Sequence, residues 1–291
     1  MAGLVLGISV RSPPGWRATE NGEVRRLRLY VQEGRPTRHA YRAMSFVLQR
    51  GPLPPAPDST EIPGATLVLT RGQPTEVTVI NRLAEGTSVH WHGLELESYS
   101  DGVAGWSGSG THPAPVIMPG DSFVAHLTLH RAGTFIYHTH LNDYLQLTSG
   151  LYGPIVVLEP GRQFDPATDH VYTLGRDGED DPPHLIVNGD SLSAPLALAA
   201  GTVHRFRFVH IGMAARLRFS LRQDRTLMTW RPLAMDGADL PPAASREVPA
   251  TVLIDVGQTA DFEFRPPGAG TYSLVLMHGE RLFWSQQLLV R

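Results

Sequence analysis

Apolar and polar residues alternate in short runs along this chain, and no stretch keeps the period of a long amphipathic helix. Runs with strand character cover 27–32, 45–48, 66–69, 76–80, 122–129, 133–138 and 154–158, each bounded by Gly, Pro, Asn or Asp. A polar stretch follows Glu159-Pro160-Gly161. Strand-like runs then resume at 171–174, 184–187, 203–209, 217–221, 251–255, 260–264, 271–276 and 285–290. Leu4, Leu6, Ile8 and Val10 read as one further strand at the start, like the last strand of something that precedes it. The proline-rich segment from Gly51 to Pro57 predicts an ordered loop or linker. Ala194 to Ala200 is apolar enough for a single helical turn, and Pro195 opposes anything longer.

The two series share a plan. In the first, Arg71-Gly72-Gln73 precedes a strand and Gly133-Thr134-Phe135 enters a last hairpin; in the second, Ala200-Gly201-Thr202 and Gly270-Thr271-Tyr272 do the same. Units of ~120 residues fit Greek-key β domains. The expected fold is therefore all-β, with two Greek-key β-sandwich domains at 24–160 and 161–291 behind a terminal strand and linker at 1–23. One large irregular β domain is the alternative.

Composition narrows the function. Hydrophobic residues make up 42% of the 291 and charged residues 18%, enough apolar material for real cores. The 29 glycines and 24 prolines follow no G-X-Y period, which excludes collagen and points to many turns. A net charge of −3 argues against nucleic acid as a partner. All 25 basic residues are Arg and none cluster, which reads as codon or lineage bias. No apolar run approaches the ~18 residues of a membrane helix, so no membrane association is expected. The first ten residues lack the basic region and cleavage site of a signal peptide. The absence of cysteine excludes disulfides, thiolate zinc sites, cysteine nucleophiles, and any blue-copper centre made by this chain alone.

Thirteen histidines include two His-x-His pairs, His90-Trp91-His92 and His138-Thr139-His140. On a strand, residues i and i+2 share a face, so each pair presents two imidazoles together. On neighbouring strands the four would converge. Imidazole suits copper, zinc, iron and nickel alike, so the spacing does not name a metal. Chance alone yields about 0.6 such pairs in a chain this rich in histidine.

The flanking residues add more. Asn81 to Gly93, ending Val89-His90-Trp91-His92-Gly93, resembles the first copper motif of the multicopper oxidases, the laccase-like family. Asp101-Gly102 follows at that family's interval, and Met118-Pro119-Gly120-Asp121 is similar to its turn before a strand. Ala132 to His140 resembles the second motif, and Ser149 to Pro154 the segment that closes the domain. The resemblance implies cupredoxin-like sandwiches and a copper cofactor. It implies His90 as a type 2 copper ligand, and His92, His138 and His140 as type 3 ligands. Asp101 would lie behind the ligands and deliver protons as dioxygen is reduced. The plain reading of Asp101-Gly102 is a turn.

The second half resembles the copper-free middle domain of three-domain laccases, through Val187-Asn188-Gly189, Arg205 to Val209 and Val252 to Gln258. The family's later His-x-x-His-x-His and His-Cys-His motifs are absent, and Leu276 to Glu280 stands where the latter would fall. The resemblance thus implies a type 2/type 3 half-site with no type 1 copper in this chain. Met1 to Gly7 is similar to the segment after the family's last copper histidine, which would make Met1 an orphan ligand; an ordinary initiator is the alternative.

The expected function is the copper-binding portion of a laccase-like oxidase, an oxidoreductase not competent alone. Its partners would be a missing cupredoxin domain, upstream or on another chain, or a second copy; dioxygen and a small reducing substrate would complete the system. A copper carrier module and a structural protein with vestigial histidines are the alternatives. The resemblance implies a periplasmic or secreted setting. The remaining histidines read as exposed or satisfied: His126 and His130 outward on a strand, His39, His112, His170 and His184 in loops. His204, His210 and His278 have a residual site as the alternative. Trp106 and Tyr99 are expected to pack near the loop after Asp101.

Overall fold

The computed structural model describes residues 22–36, 42–180, 183–212 and 216–291. The expected opening strand, Met1 and His39 lie outside the described residues.

The first series forms two facing sheets. β1 (Arg25–Gly34), β2 (Ala43–Leu48), β3 (Leu67–Thr70), β4 (Thr75–Asn81) and β5 (His90–His92) are followed by a short helix, α1 (Ser98–Asp101). A small hairpin of β6 (Gly108–Ser109) and β7 (His112–Pro113) leads to β8 (Ser122–Leu127), β9 (Gly133–His138), helix α2 (Asp143–Thr148) and β10 (Tyr152–Leu158). One sheet runs β2-β1-β4-β8 and the other β3-β10-β9-β5. Period-2 patterning explains the sandwich: Val77 and Val79 of β4, and Phe123, Ala125 and Leu127 of β8, point inward while their neighbours face outward. They meet Leu67, Leu69, Trp91, Phe135, Tyr137, Ile155 and Val157 of the opposite sheet in one core. Each such side chain contributes roughly 1.5–3 kcal/mol on burial.

β9 departs from this alternation. All six of its residues are buried, the mark of a strand covered on both faces. Phe135 and Tyr137 face the core. Ile136, on the other face, packs with Tyr152 and Leu147 against Val209 and Ile211 of the second series. Thr134 on that same face meets Asp261.

The second series repeats the plan. Its strands are β11 (Asp169–Arg176), β12 (Leu185–Val187), β13 (Leu196–Leu198), β14 (His204–His210), β15 (Leu217–Gln223), β16 (Thr226–Leu227) and β17 (Thr229–Met235). There follow β18 (Ala238–Asp239), β19 (Val248–Pro249), β20 (Thr251–Ile254), β21 (Thr259–Phe264), β22 (Gly270–His278) and β23 (Arg281–Val290). One sheet is ordered β12-β11-β14-β21-β17-β18 and the other β13-β23-β22-β15-β16. Pairing senses match too: β1 with β4 and β11 with β14 are parallel, as are β3 with β10 and β13 with β23. An aromatic core of Tyr172, Phe206, Phe208, Phe219, Trp230, Phe262 and Trp284 fills this sandwich.

Several local expectations are corrected. Residues 196–198 form a strand, not a helical turn, because parallel pairing with β23 captures them. β17 was not expected; its Pro232 is accommodated at a shift in register against β21. His170 lies buried on β11, not in a loop. Its ring nitrogen is 3.1 Å from that of His204. Trp106 is 68% exposed, not packed, whereas Tyr99 stacks on His112 with centroids 4.5 Å apart.

Candidate metal centre

β5 and β9 are antiparallel neighbours, with His90 opposite His138 and His92 opposite Ile136. That register places His90, His92 and His138 on the outer face of their sheet, and His140 follows two residues beyond the end of β9. The four rings converge. His90 lies 5.6, 5.4 and 5.6 Å, centroid to centroid, from His92, His138 and His140, and His138 lies 5.6 and 5.9 Å from His92 and His140. One nitrogen from each of His90, His92 and His138 falls within 4.8 Å of the others. His140 stands just outside that closest group.

Each ring is turned by a different partner. His138 Nδ1 lies 2.6 Å from the Thr139 carbonyl, so Nδ1 carries the proton and Nε2 keeps a free lone pair. That Nε2 is buried without a hydrogen-bond partner. His90 Nδ1 lies 3.1 Å from Asp101 Oδ1, again leaving Nε2 as the base. His140 Nδ1 is 3.7 Å from Asp143 Oδ2. The Cε1–Nε2 edge of His92 faces the backbone of Gly257, from the second sandwich.

Burial and a neighbouring imidazole disfavour the charged form of two of these rings, His138 and His92. Burial first, then His90, pulls His138 down to about 3, and the same two causes lower His92. Neutral imidazole is the form that binds a metal. Burial alone would raise the Asp101 carboxyl; its bond to His90, the His90 charge and the Ser107 hydroxyl outweigh that and hold it below its ordinary value. Ser107 Oγ donates to Asp101 Oδ2 at 2.7 Å and accepts from the Val103 N–H at 3.1 Å. Gly102, in the left-handed region at φ 81°, ends α1 and turns the chain there.

The sequence thus located His90, His92, His138, His140 and Asp101, and the fold brings them together. His90, His92 and His140 are partly accessible, whereas His138 is only 7% exposed on β9, which is covered on both faces. Ser107, Asp143 and Gly257 were not foreseen. Asp143, three residues after His140, had a spacing that could have betrayed it. Clustered imidazoles, one with an orphaned buried lone pair, fit a borderline-soft metal such as copper.

A family profile described as multicopper oxidase matches residues 59–162, the segment that holds all five of these residues. Residues 59–162 are thus similar to a multicopper oxidase domain, and the match covers about a third of the chain. A copper resistance protein A homolog of Pseudomonas syringae pv. tomato is 35% identical over 128 residues, 43% of this chain and 20% of that protein. L-ascorbate oxidase of Cucurbita maxima is 35% identical over 109 residues, 36% of this chain and 17% of the enzyme. The matched region spans about a fifth of the length of such relatives. A multi-copper oxidase structure from Pseudomonas thermotolerans superposes with a TM-score of 0.75 at 23% identity, over 93% of this chain and 65% of that one. A copper nitrite reductase from Nitrosomonas europaea gives 0.71 at 18%, over 92% and 94%. These two structural likenesses bear on the fold, a pair of cupredoxin-like sandwiches.

Proposed function

We propose that this chain is the copper-binding portion of a laccase-like multicopper oxidase and supplies half of a type 2/type 3 cluster. The observation that carries the reading is the convergence of four imidazoles on one sheet edge, one of them with a buried, unpartnered Nε2. His90 would hold the type 2 copper, and His92, His138 and His140 the type 3 pair. Copper, when bound, supplies the one-electron chemistry by which dioxygen is reduced to water while a reducing substrate is oxidised. The chain's own side chains orient and protonate. Asp101 Oδ1 holds the His90 Nδ1 proton, Ser107 fixes the carboxylate, and that carboxylate is the proton carrier.

This sequence has no cysteine, so electron entry through a thiolate-bound copper belongs to another domain or chain. The remaining cluster ligands would come from a cupredoxin domain upstream or on a separate chain, or from a second copy set face to face. Residues 24–160 form the copper-bearing domain in this reading and 161–291 the copper-free one.

Copper(II) titration followed by electron paramagnetic resonance and metal analysis tests the proposal. The expected result is labile binding with no strong ~600 nm absorption, since that band needs a thiolate ligand. Binding should be lost in His90→Gln and His138→Gln, and weakened about tenfold or more in Asp101→Asn. Copper binding that ignores both histidine substitutions would overturn it.

A further inference from the structure

The second sandwich contributes no imidazole to the cluster among the described residues, yet it touches one member of it. The contact comes from a tight turn between β20 and β21. The Gln258 N–H donates to the Asp255 carbonyl at 3.1 Å, and the Asp255 N–H donates to Gln258 Oε1 at 2.8 Å. The Gly257 N–H reaches the His210 carbonyl at 2.7 Å, and the His210 N–H returns to the Gln258 carbonyl at 3.0 Å. Arg216 grips the Asp255 carboxylate in a fork, with contacts of 2.6 to 3.0 Å.

Its apex is Gly257, with φ +86°. A Cβ there would stand 3.3 Å from Cε1 and 3.4 Å from Nε2 of His92, so backbone alone lets the turn approach the ring this closely. His92 and Gly257 border the same cleft of about 370 Å³ between the sandwiches. The other three imidazoles take their partners from the first sandwich, namely Asp101, Thr139 and Asp143. Among the described residues, His92 has no such partner there. A metal-binding histidine is ordinarily fixed by a hydrogen bond from its other ring nitrogen, often to a backbone carbonyl.

We propose that the Asp255–Gln258 turn is a positioning element for His92: the Gly257 carbonyl accepts from the ring's Nε2–H and sets its facing, and the Arg216–Asp255 fork holds the turn in place. The copper-free sandwich then has a role in the centre without supplying a ligand. The inference rests on the copper reading given above.

The whole chain, free of metal and labelled with nitrogen-15, allows the His92 ring to be read directly by long-range proton–nitrogen correlation. The expected spectrum shows His92 protonated at Nε2 in a single tautomer. Arg216→Ala, which touches no imidazole, should give a mixture of tautomers and about tenfold weaker copper(II) binding. Arg216→Lys should restore both in part, and Arg71→Ala, which opens a remote exposed pair with Glu159, should change neither. Gly257→Ala should act more severely than Arg216→Ala; if it does not fold, Arg216→Ala decides alone. An Nδ1-protonated or tautomerically mixed His92 in the unaltered protein, or Arg216→Ala with wild-type spectrum and affinity, overturns the inference. Should His90→Gln abolish copper binding while Arg216→Ala has no effect, only this inference fails. Should His90→Gln also have no effect, the copper site itself fails.

Discussion

Replacing Asp261 by Asn should loosen the seam that carries β9. Asp261 is 1% exposed and accepts from Thr134 Oγ1 at 2.7 Å, from Arg205 Nη2 at 2.6 Å and from Arg207 Nη1 at 2.9 Å. Arg207 is itself 2% exposed, with Asp169 as its other ion-pair partner at 2.8 Å, and its Nη1 also donates to Thr134 Oγ1 at 3.0 Å. Two guanidinium groups and two carboxylates balance in this network. Removing one negative charge leaves the buried Arg207 under-compensated, while Arg205, 32% exposed, stays partly hydrated; breaking a fully buried pair costs about 3–5 kcal/mol. Asp169 and the exposure of Arg205 compensate in part, so ~3 kcal/mol is expected, a fall in Tm of about 5 °C for a chain of this size. Trp230 stacks on Phe262, the residue next to Asp261, with centroids 4.1 Å apart, so tryptophan fluorescence during urea unfolding reports on this seam. Arg207→Met combined with Asp261→Asn should be less destabilised than the sum of the single variants by ~2 kcal/mol, because the stranded charge is gone. A cost below ~1 kcal/mol for Asp261→Asn, or strict additivity of the two changes, would refute the reasoning.

Acid should weaken the second sandwich through His170. Burial, then the neighbouring His204, lowers His170 to about 4, whereas its unfolded value stays near 6.5. Between those values the unfolded chain binds a proton that the folded one refuses, so stability falls as pH drops from about 6.5 toward 4, by up to ~3 kcal/mol from this group. Urea midpoints measured across that window should be flatter in His170→Gln; an unchanged slope would contradict the assignment. Gly102→Ala should be severe, because φ is +81° and an added Cβ would fall 1.9 Å from the Val89 carbonyl oxygen, directly before His90. A loss above ~2 kcal/mol in urea unfolding, together with weaker copper binding, is expected; stability within ~0.5 kcal/mol of wild type would show that the turn relaxes freely.

Each His-x-His pair was legible because strand periodicity is local, two residues apart on one strand meaning one face; that the two pairs meet, as His90 does His138, came from the resemblance of the flanking motifs and not from spacing. β9 was read correctly from Gly133 to His138 for the same reason. What escaped depends on distance along the chain. Thr134 and Asp261 are 127 positions apart, and no pattern in either segment announces the other. Residues 196–198 became a strand only because β23, about ninety residues on, offered an edge. The four residues of α1 are too few for a helical period to show, although Gly102 marked its end. Pro232 concealed β17, since proline argues against a strand until a register shift makes room for it.

The shared topology of the two sandwiches has an evolutionary consequence. Gly133 pairs with Val157 at the start of β9, and Gly270 pairs with Val290 at the start of β22, so the two hairpins can be laid over each other residue by residue. His138 and His140 then fall on Val275 and Met277. Their neighbours His90 and His92 fall on Ser220 and Arg222, which pair with Val275 and Ser273. The same scaffold occurs twice in one polypeptide, equipped once and blank once, and four side chains on an outward-facing strand pair mark the difference. Duplication of such a unit lets one copy gain or lose metal chemistry while its core stays intact, because the positions that change lie on the face the core does not use.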